Sequence, residues 1–341
     1  MKTIGSISNA LARAAAAFAL SLSTAAPVGA ADWFKAVPAG PSSWNWQSAA
    51  APASYVGEFG GRLWFGRART AKDLFDTTGT AMVSRLDYYD LNIFTGEAFS
   101  RLDGNTGWFL KGYAGGGGLL DGTLKDEDFE PFIVPYSATT SEQRDGSLLY
   151  GSIDAGFKLL RGPDFHVGGF VGYHFVRNTV QAFGCAQIAT NPFVCGGGIP
   201  TAFEVIAQTN NWHSLRVGVE ASVEFDRRFR LTVDAAWLPY VSLYGADTHH
   251  LRIGPNPGDF TGPIPEDGKG WGYQIDVTGT WRVNDWLSIG GGGRYWHAEA
   301  RATPISKAIS SASTRCRSPC AGRPTTSAAL SRPASSSGRI G

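Results

Sequence analysis

Beyond its N-terminal segment, the 341-residue sequence lacks an apolar run long enough for a membrane-spanning helix, because charge or glycine interrupts each candidate within about 18 residues. Methionine occurs twice and cysteine four times, and the formal net charge of +1 gives no indication of a nucleic-acid partner. Glycine, by contrast, occurs 44 times, alongside 11 Trp, 11 Tyr and 20 Phe. This composition is typical of a barrel of many strands with aromatic girdles and not of a helical core.

The N-terminus has the pattern of a secretory signal peptide. Lys2 and Arg13 accompany an apolar stretch over 14–22, and a run of small residues ends at Ala31. The apolar stretch is too short to span a membrane, and the small residues mark a cleavage site. We therefore expect residues 1–30 to be a signal peptide that is absent from the mature protein.

Period-two alternation of apolar with polar or small side chains marks residues 215–225, 231–237 and 273–281 as strands. We predict a lead-in segment over 31–54 and, over 55–301, an all-β, antiparallel, up-and-down transmembrane β-barrel. Its nine readable strands are predicted at 55–66, 81–101, 107–121, 147–161, 165–182, 211–225, 229–243, 271–283 and 286–301.

The predicted connections alternate in length. Short turns lie at 103–106, 162–164, 226–228 and 284–285, and long polar stretches lie at 67–80, 122–146, 183–210 and 244–270. This layout is typical of an outer-membrane barrel with its long loops outside the cell. Five tryptophans near predicted strand ends suit interfacial belts: Trp212, Trp237, Trp271, Trp281 and Trp286.

Residues 302–341 form a low-complexity tail of Ser, Arg, Pro and Ala without alternation. Single-chain bacterial barrels close with an even number of strands, so the predicted nine lack a tenth. The tail is either a natural disordered extension or, as we favour, a frameshift product in which the last strand is lost. An unclosed barrel would leave two bare strand edges in lipid, at a high free-energy cost.

The four cysteines do not have the spacing of a zinc site, and the sequence indicates no cofactor. Cys185 and Cys195 share one predicted loop and could close a short disulfide in an oxidising compartment. Cys316 and Cys320 lie in the tail.

Two polar clusters in the predicted long loops could carry chemistry. Asp126 and Asp128 follow the third strand, and Asp247 and His249 follow the seventh, which places both pairs on one rim. Asp247 would orient the imidazole, His249 would act as general base, and the other two carboxylates would hold a nucleophilic water. The alternatives are solvated loop charge, an incidental histidine pair, or a calcium site with Glu130, although EF-hand spacing is absent.

The chain resembles the omptin family of outer-membrane aspartyl proteases in four segments. These are Ser84-Arg85-Leu86-Asp87-Tyr88, the glycine-rich third strand ending in Lys125-Asp126-Glu127-Asp128-Phe129, the strands from Leu149 through Gly172-Tyr173, and the seventh strand running into Asp247-Thr248-His249 with the Gly272-Tyr273 strand after it. The resemblance implies a ten-stranded barrel in the cell outer membrane with its active site at the extracellular end.

The family's catalytic pattern, an Asp-x-Asp pair after the third strand and an Asp-x-His pair after the seventh, matches Asp126, Asp128, Asp247 and His249. The resemblance therefore implies an endopeptidase that hydrolyses extracellular peptides or proteins with a water nucleophile and no metal. It also implies lipopolysaccharide as a lipid partner.

Two positions depart from the family pattern. Members that cleave between basic residues have acidic side chains where this chain has Thr70 and Gly245, so dibasic specificity is not expected here. The alternative function is that of a non-catalytic outer-membrane barrel acting as adhesin, receptor or structural protein. A passive pore is disfavoured, because side chains fill the interior of a barrel of about ten strands.

Overall fold

The computed structural model describes residues 55–76, 80–129, 134–254, 260–302, 313–318 and 336–340. The predicted signal peptide (1–30) and lead-in segment (31–54) lie outside the described residues. No helix within the described part of the chain is long and apolar enough to cross a membrane.

The predicted all-β fold is confirmed: nine long strands follow one another in an antiparallel, up-and-down sheet that curls into a barrel. They are β1 Tyr55–Phe75, β2 Met82–Gly104, β3 Trp108–Asp128, β4 Ser137–Arg161, β5 Phe165–Gln187, β6 Ile199–Phe225, β7 Phe229–His249, β8 Ile264–Arg282 and β9 Ser288–Ala302. A single 3-10 turn, His250–Arg252, follows β7. The strands exceed the about 9–11 residues that a bilayer requires.

The strands extend well into the segments predicted as long loops, and that part of the prediction was wrong. β3 continues to Asp128 and β7 to His249, while β4 begins at Ser137 and β6 at Ile199. The outward face of β3 is apolar up to Leu120 and then carries the ion pair of Lys125 with Glu127. Beyond the apolar band the outward side chains are polar, and polar residues join apolar ones on the inward face, so the period-two signal weakens although the strand continues.

Side chains fill the barrel interior along its length. Charged pairs lie near the short turns, an aromatic layer around Trp296, Tyr150 and His174 lies in the middle, and an apolar cluster that includes Leu86, Leu91 and Val180 lies towards the other rim. Four of the five predicted belt tryptophans are exposed, but Trp212 is buried and donates from Nε1 to Asn178 Oδ1 at 3.2 Å. Its assignment to an outward belt was therefore wrong.

Four strands contain one extra residue at a similar position along the barrel axis. Beyond the extra residue, the odd-numbered and even-numbered side chains exchange between the inward and outward faces. In β7, Pro239 and Tyr240 lie opposite a single residue of β8, between the pairs Leu238 with Gly272 and Val241 with Gly270. The inward side chains of β7 consequently change from even to odd positions. β2, β3 and β4 change in the same way near residues 90, 120 and 145. Such β-bulges determine which side chains of the upper strands face the interior.

Two short strands in the tail lie between β9 and β1. β10, Ser313–Ser318, pairs with residues of both β1 and β9, and β11, Ser336–Ile340, does the same. The structure thus differs from the expectation that the tail provides no strand. Ladder hydrogen bonds use only the backbone, so the open edges of β1 and β9 can accept segments without alternating side chains.

The structure confirms the predicted short disulfide. Cys185, near the end of β5, is joined to Cys195 in the connection to β6. The bond ties the β5–β6 connection to the barrel on the same side as the end of β7, because Ile206 of β6 pairs with His249.

Candidate active site

The four predicted site residues lie at the ends of β3 and β7, in strand and not in loops. Asp126 and Asp128 have the inward parity of the fully buried Leu124, and Asp247 has that of the fully buried Leu243. Both pairs therefore face the interior at the same open end of the barrel, the end opposite the short turns.

Asp247 and His249 form a hydrogen-bonded dyad. Nε2 of His249 lies 3.2 Å from Oδ2 of Asp247, whose side chain is completely buried. A carboxylate at Nε2 fixes the proton on that nitrogen and leaves Nδ1 to accept another. The ring of Phe260, a buried residue of the β7–β8 connection, lies 5.6 Å from the imidazole centroid and covers one side of it.

Lys72 of β1 reaches across the barrel to the same dyad. Its Nζ donates to Oδ2 of Asp247 and to Oε1 of Glu266 on β8. Gln208 donates to the other oxygen of Glu266 at 3.1 Å. Burial alone would raise the pKa of Asp247, but the charges and hydrogen bonds of Lys72 and His249 outweigh burial and hold this pKa below its usual range.

The carboxylate pair on β3 is electrostatically different. Burial, reinforced by the negative charge of Asp128, raises the pKa of Asp126 to about 7, with His249 and Lys72 opposing the rise. Burial also raises the pKa of Asp128, while a hydrogen bond with Ser84 opposes this rise. Asp126 therefore exchanges a proton near neutral pH.

The charge of His249 acts on both Asp126 and Asp128, so the two motifs share one electrostatic environment. Among the described residues, no three His, Cys, Asp or Glu side chains converge closely enough to hold a metal ion. The two carboxylates of β3 are strong hydrogen-bond acceptors, and Asp247 orients the imidazole of His249. Together these groups can position and deprotonate a water molecule.

Tyr88 of β2 lies beneath this cluster. It is fully buried, it pairs with Thr70 of β1 and Leu124 of β3, and its hydroxyl has no hydrogen-bond partner among the described residues. Burial, followed by the charges of Asp247 and Asp126, raises the pKa of Tyr88. The phenol therefore remains protonated and can only serve as a neutral donor or acceptor.

Charged groups lie close to Gly245 and Thr70, the two positions that depart from the omptin pattern. A Cβ at Gly245 would lie 2.4 Å from Asn210 Oδ1 and 3.3 Å from Oε2 of Glu266. Thr70 is buried two positions before Lys72 on the same inward face. A carboxylate from β8 thus occupies the space next to position 245, and an ammonium group neutralises it.

Sequence reasoning did not identify Lys72, Glu266, Tyr88 or Phe260 as parts of the site. Lys72 and Glu266 fell in segments predicted as loops, and no pattern in the sequence indicated that their side chains face the interior. Side chains two residues apart on a strand lie on the same face, so a longer predicted β1 would have placed Lys72 on the face of Thr70.

The barrel also has a cavity of about 490 Å³ at the end with the short turns. Its charged side chains pair with one another: Glu220 accepts from Arg101 at 2.7 Å and from Lys111 at 2.9 Å, and Arg216 donates to Asp154 at 2.8 Å. These pairs explain how the cavity tolerates buried charge, and they lie far along the barrel from the dyad.

No protein-family model matches the chain, and no curated protein does. Among solved structures, the outer membrane protease OmpT from Escherichia coli is similar with a TM-score of 0.62 and 15% identity, over 85% of this chain and 99% of that one. The Pseudomonas putida toluene transporter TodX (TM-score 0.29, 9% identity, 79% of this chain and 68% of that one) and a Pseudomonas aeruginosa FadL homologue (TM-score 0.25, 8% identity, 84% and 88%) are much more distant. The likeness to OmpT shows that the chain has an omptin-like barrel fold.

Proposed function

We propose that this protein is an omptin-like outer-membrane endopeptidase that hydrolyses extracellular peptide bonds with an activated water. The observation that carries the proposal is the hydrogen bond of His249 to the buried Asp247 at the barrel mouth, within the same electrostatic environment as Asp126 and Asp128. A buried Asp that orients a His opposite a carboxylate pair is an arrangement for general-base catalysis.

In the proposed reaction, Asp128 accepts a hydrogen bond from the water and Nδ1 of His249 takes its proton as the oxygen attacks the scissile carbonyl carbon. Asp247 stabilises the resulting imidazolium. Asp126 in its protonated form can donate a hydrogen bond, which suits the developing oxyanion. The tetrahedral intermediate then collapses as the C–N bond breaks, and the imidazolium returns its proton to the leaving amine.

The proposed location is the outer membrane with the dyad outside the cell. Exposed apolar side chains such as Val219, Ile153 and Leu120 form a band on the barrel wall, which begins on the side of the short turns and on β3 extends to Leu120, as lipid contact requires. The dyad lies beyond this band at the other end. Lipopolysaccharide in the outer leaflet is the proposed lipid partner, and a peptide or protein segment that enters the mouth is the proposed substrate.

The test compares refolded wild type with His249→Ala on an unbiased peptide library in detergent containing lipopolysaccharide, with products read by mass spectrometry. His250→Ala is the matched control. This neighbouring histidine is more exposed and approaches Glu204 at 3.7 Å, outside the dyad. We expect cleavage by wild type and by His250→Ala, and a loss of at least about 1,000-fold in His249→Ala.

Equal cleavage by wild type and His249→Ala would contradict the proposed mechanism. No cleavage by a wild-type barrel shown to be folded by its heat-dependent gel mobility would contradict the proposed function. In that case a non-catalytic surface barrel becomes the preferred alternative.

A further inference from the structure

Lys72 is an unusual component of the site. Its side chain is 5% exposed, yet it carries an ammonium that bridges two carboxylates, Asp247 and Glu266, from different strands. It contacts the same oxygen of Asp247 that accepts from Nε2 of His249. Burying a lysine in this way requires close carboxylates, because an uncompensated buried charge is strongly destabilising.

Sharing one carboxylate oxygen has a predictable electrostatic effect. Asp247 favours the imidazolium form of His249, and a second cation on the same oxygen repels that form. Glu266 acts in the opposite direction, because it draws the ammonium away and adds negative charge. Lys72 and Glu266 therefore act with opposite sign on the carboxylate oxygen that His249 and Lys72 share.

We propose that Lys72 is a positioning residue that shares Asp247 with His249 and thereby keeps the imidazole neutral, and so able to act as a base, at lower pH. This inference rests on the proposed function for its catalytic consequence. Its structural part, the control of His249 protonation by Lys72, stands on the geometry of the three side chains.

Other charges also face His249, and the variants must leave them in place. Asp126 and Asp128 act on it from β3, and Arg252 belongs to the turn that follows β7. The neighbouring His250 approaches Glu204 of β6 at 3.7 Å. Substitution at Lys72 or Glu266 leaves all of these side chains in place, and loss of the Lys72 charge also favours the protonated form of Asp126.

The experiment measures two quantities in wild type, Lys72→Met, Lys72→Arg, Glu266→Gln and the double variant Lys72→Met/Glu266→Gln. The first is the NMR titration of the His249 imidazole in micelles, assigned by comparison with His249→Ala. The second is the acid limb of the pH profile of kcat/KM. The double variant retains the net charge of the group formed with Asp247, so it remains informative if Lys72→Met fails to fold.

We expect Lys72→Met to move both midpoints upward by about one pH unit, the size typical for a close charge. Glu266→Gln should move them downward, the double variant should fall between these two, and Lys72→Arg should remain near wild type. A structural role alone would lower activity without opposite shifts. Imidazole titrations that coincide in all folded variants would overturn the inference. If folded wild type cleaves nothing, the proposed function fails. The shifts of the His249 titration among the variants still decide the role of Lys72.

Discussion

Replacing Asp126 with Asn should stabilise the folded barrel, and by an amount that depends on pH. Burial and Asp128 raise the pKa of Asp126 from 3.8 to about 7. Asn is similar in shape but cannot ionise, so the substitution removes the free energy required to ionise a buried carboxyl next to another carboxylate.

The sign of this pH dependence follows from whether Asp126 holds its proton in the folded and in the unfolded state. Below pH 3.8 both states hold the proton, so the variant and wild type should differ little. Between pH 3.8 and about 7 the folded state keeps a proton that the unfolded state has released, and the stability of wild type therefore falls as pH rises. Above pH 7 wild type has lost the full amount of this stability. A shift of this size corresponds to roughly 4 kcal/mol, and partial solvent screening of Asp126 reduces it to about 2–4 kcal/mol.

The assay is thermal unfolding of the detergent-refolded barrel by circular dichroism at pH 4 and pH 8. The Tm of Asp126→Asn should exceed that of wild type by on the order of 5–10 °C at pH 8 and by much less at pH 4. Asp121→Asn is the matched control, since Asp121 is an exposed carboxylate on the same strand that pairs with Asn92. A Tm difference between Asp126→Asn and wild type that is equal at both pH values would refute the reasoning.

Two further predictions concern backbone register and a buried hydroxyl. Deleting Tyr240 removes the extra residue of β7, so it should turn Asp247 and His249 outward and abolish cleavage. Inserting one Ala after Tyr244 in the deletion variant should turn both residues inward again and restore cleavage. A deletion variant that is active and has native gel mobility would contradict this account of the bulge. Tyr88→Phe removes a buried hydroxyl that has no partner among the described residues, so its Tm should equal or exceed that of wild type, whereas destabilisation by more than about 1 kcal/mol would reveal a hydrogen bond.

The strand order was predictable from sequence because each strand pairs with its neighbour and the part of each strand that lies in the apolar band alternates with period two. Segments such as 215–225 show this directly, and they lie in β6 as predicted. The upper parts of the strands were missed, since residues such as those near Glu266 face water or polar interior on both sides and carry no apolar alternation.

The candidate site was predictable in part. The Asp-x-Asp and Asp-x-His motifs stand out by residue type and spacing, and the structure brings Asp247 and His249 into hydrogen-bond contact. Lys72 and Glu266 could not be found in this way, because they lie far from the motifs in sequence and meet them only across the barrel.

The sequence by itself determined the local features of this protein: the nine long strands, their antiparallel order, the short turns and the identity of the Asp and His residues at the open end of the barrel. Tertiary structure alone decided which way those residues point. In a strand successive side chains alternate between faces, so one extra residue at Tyr240 places Asp247 and His249 inside the barrel. The closed curvature of the sheet then brings Lys72 of β1 to β7, a contact between strands that no local pattern encodes.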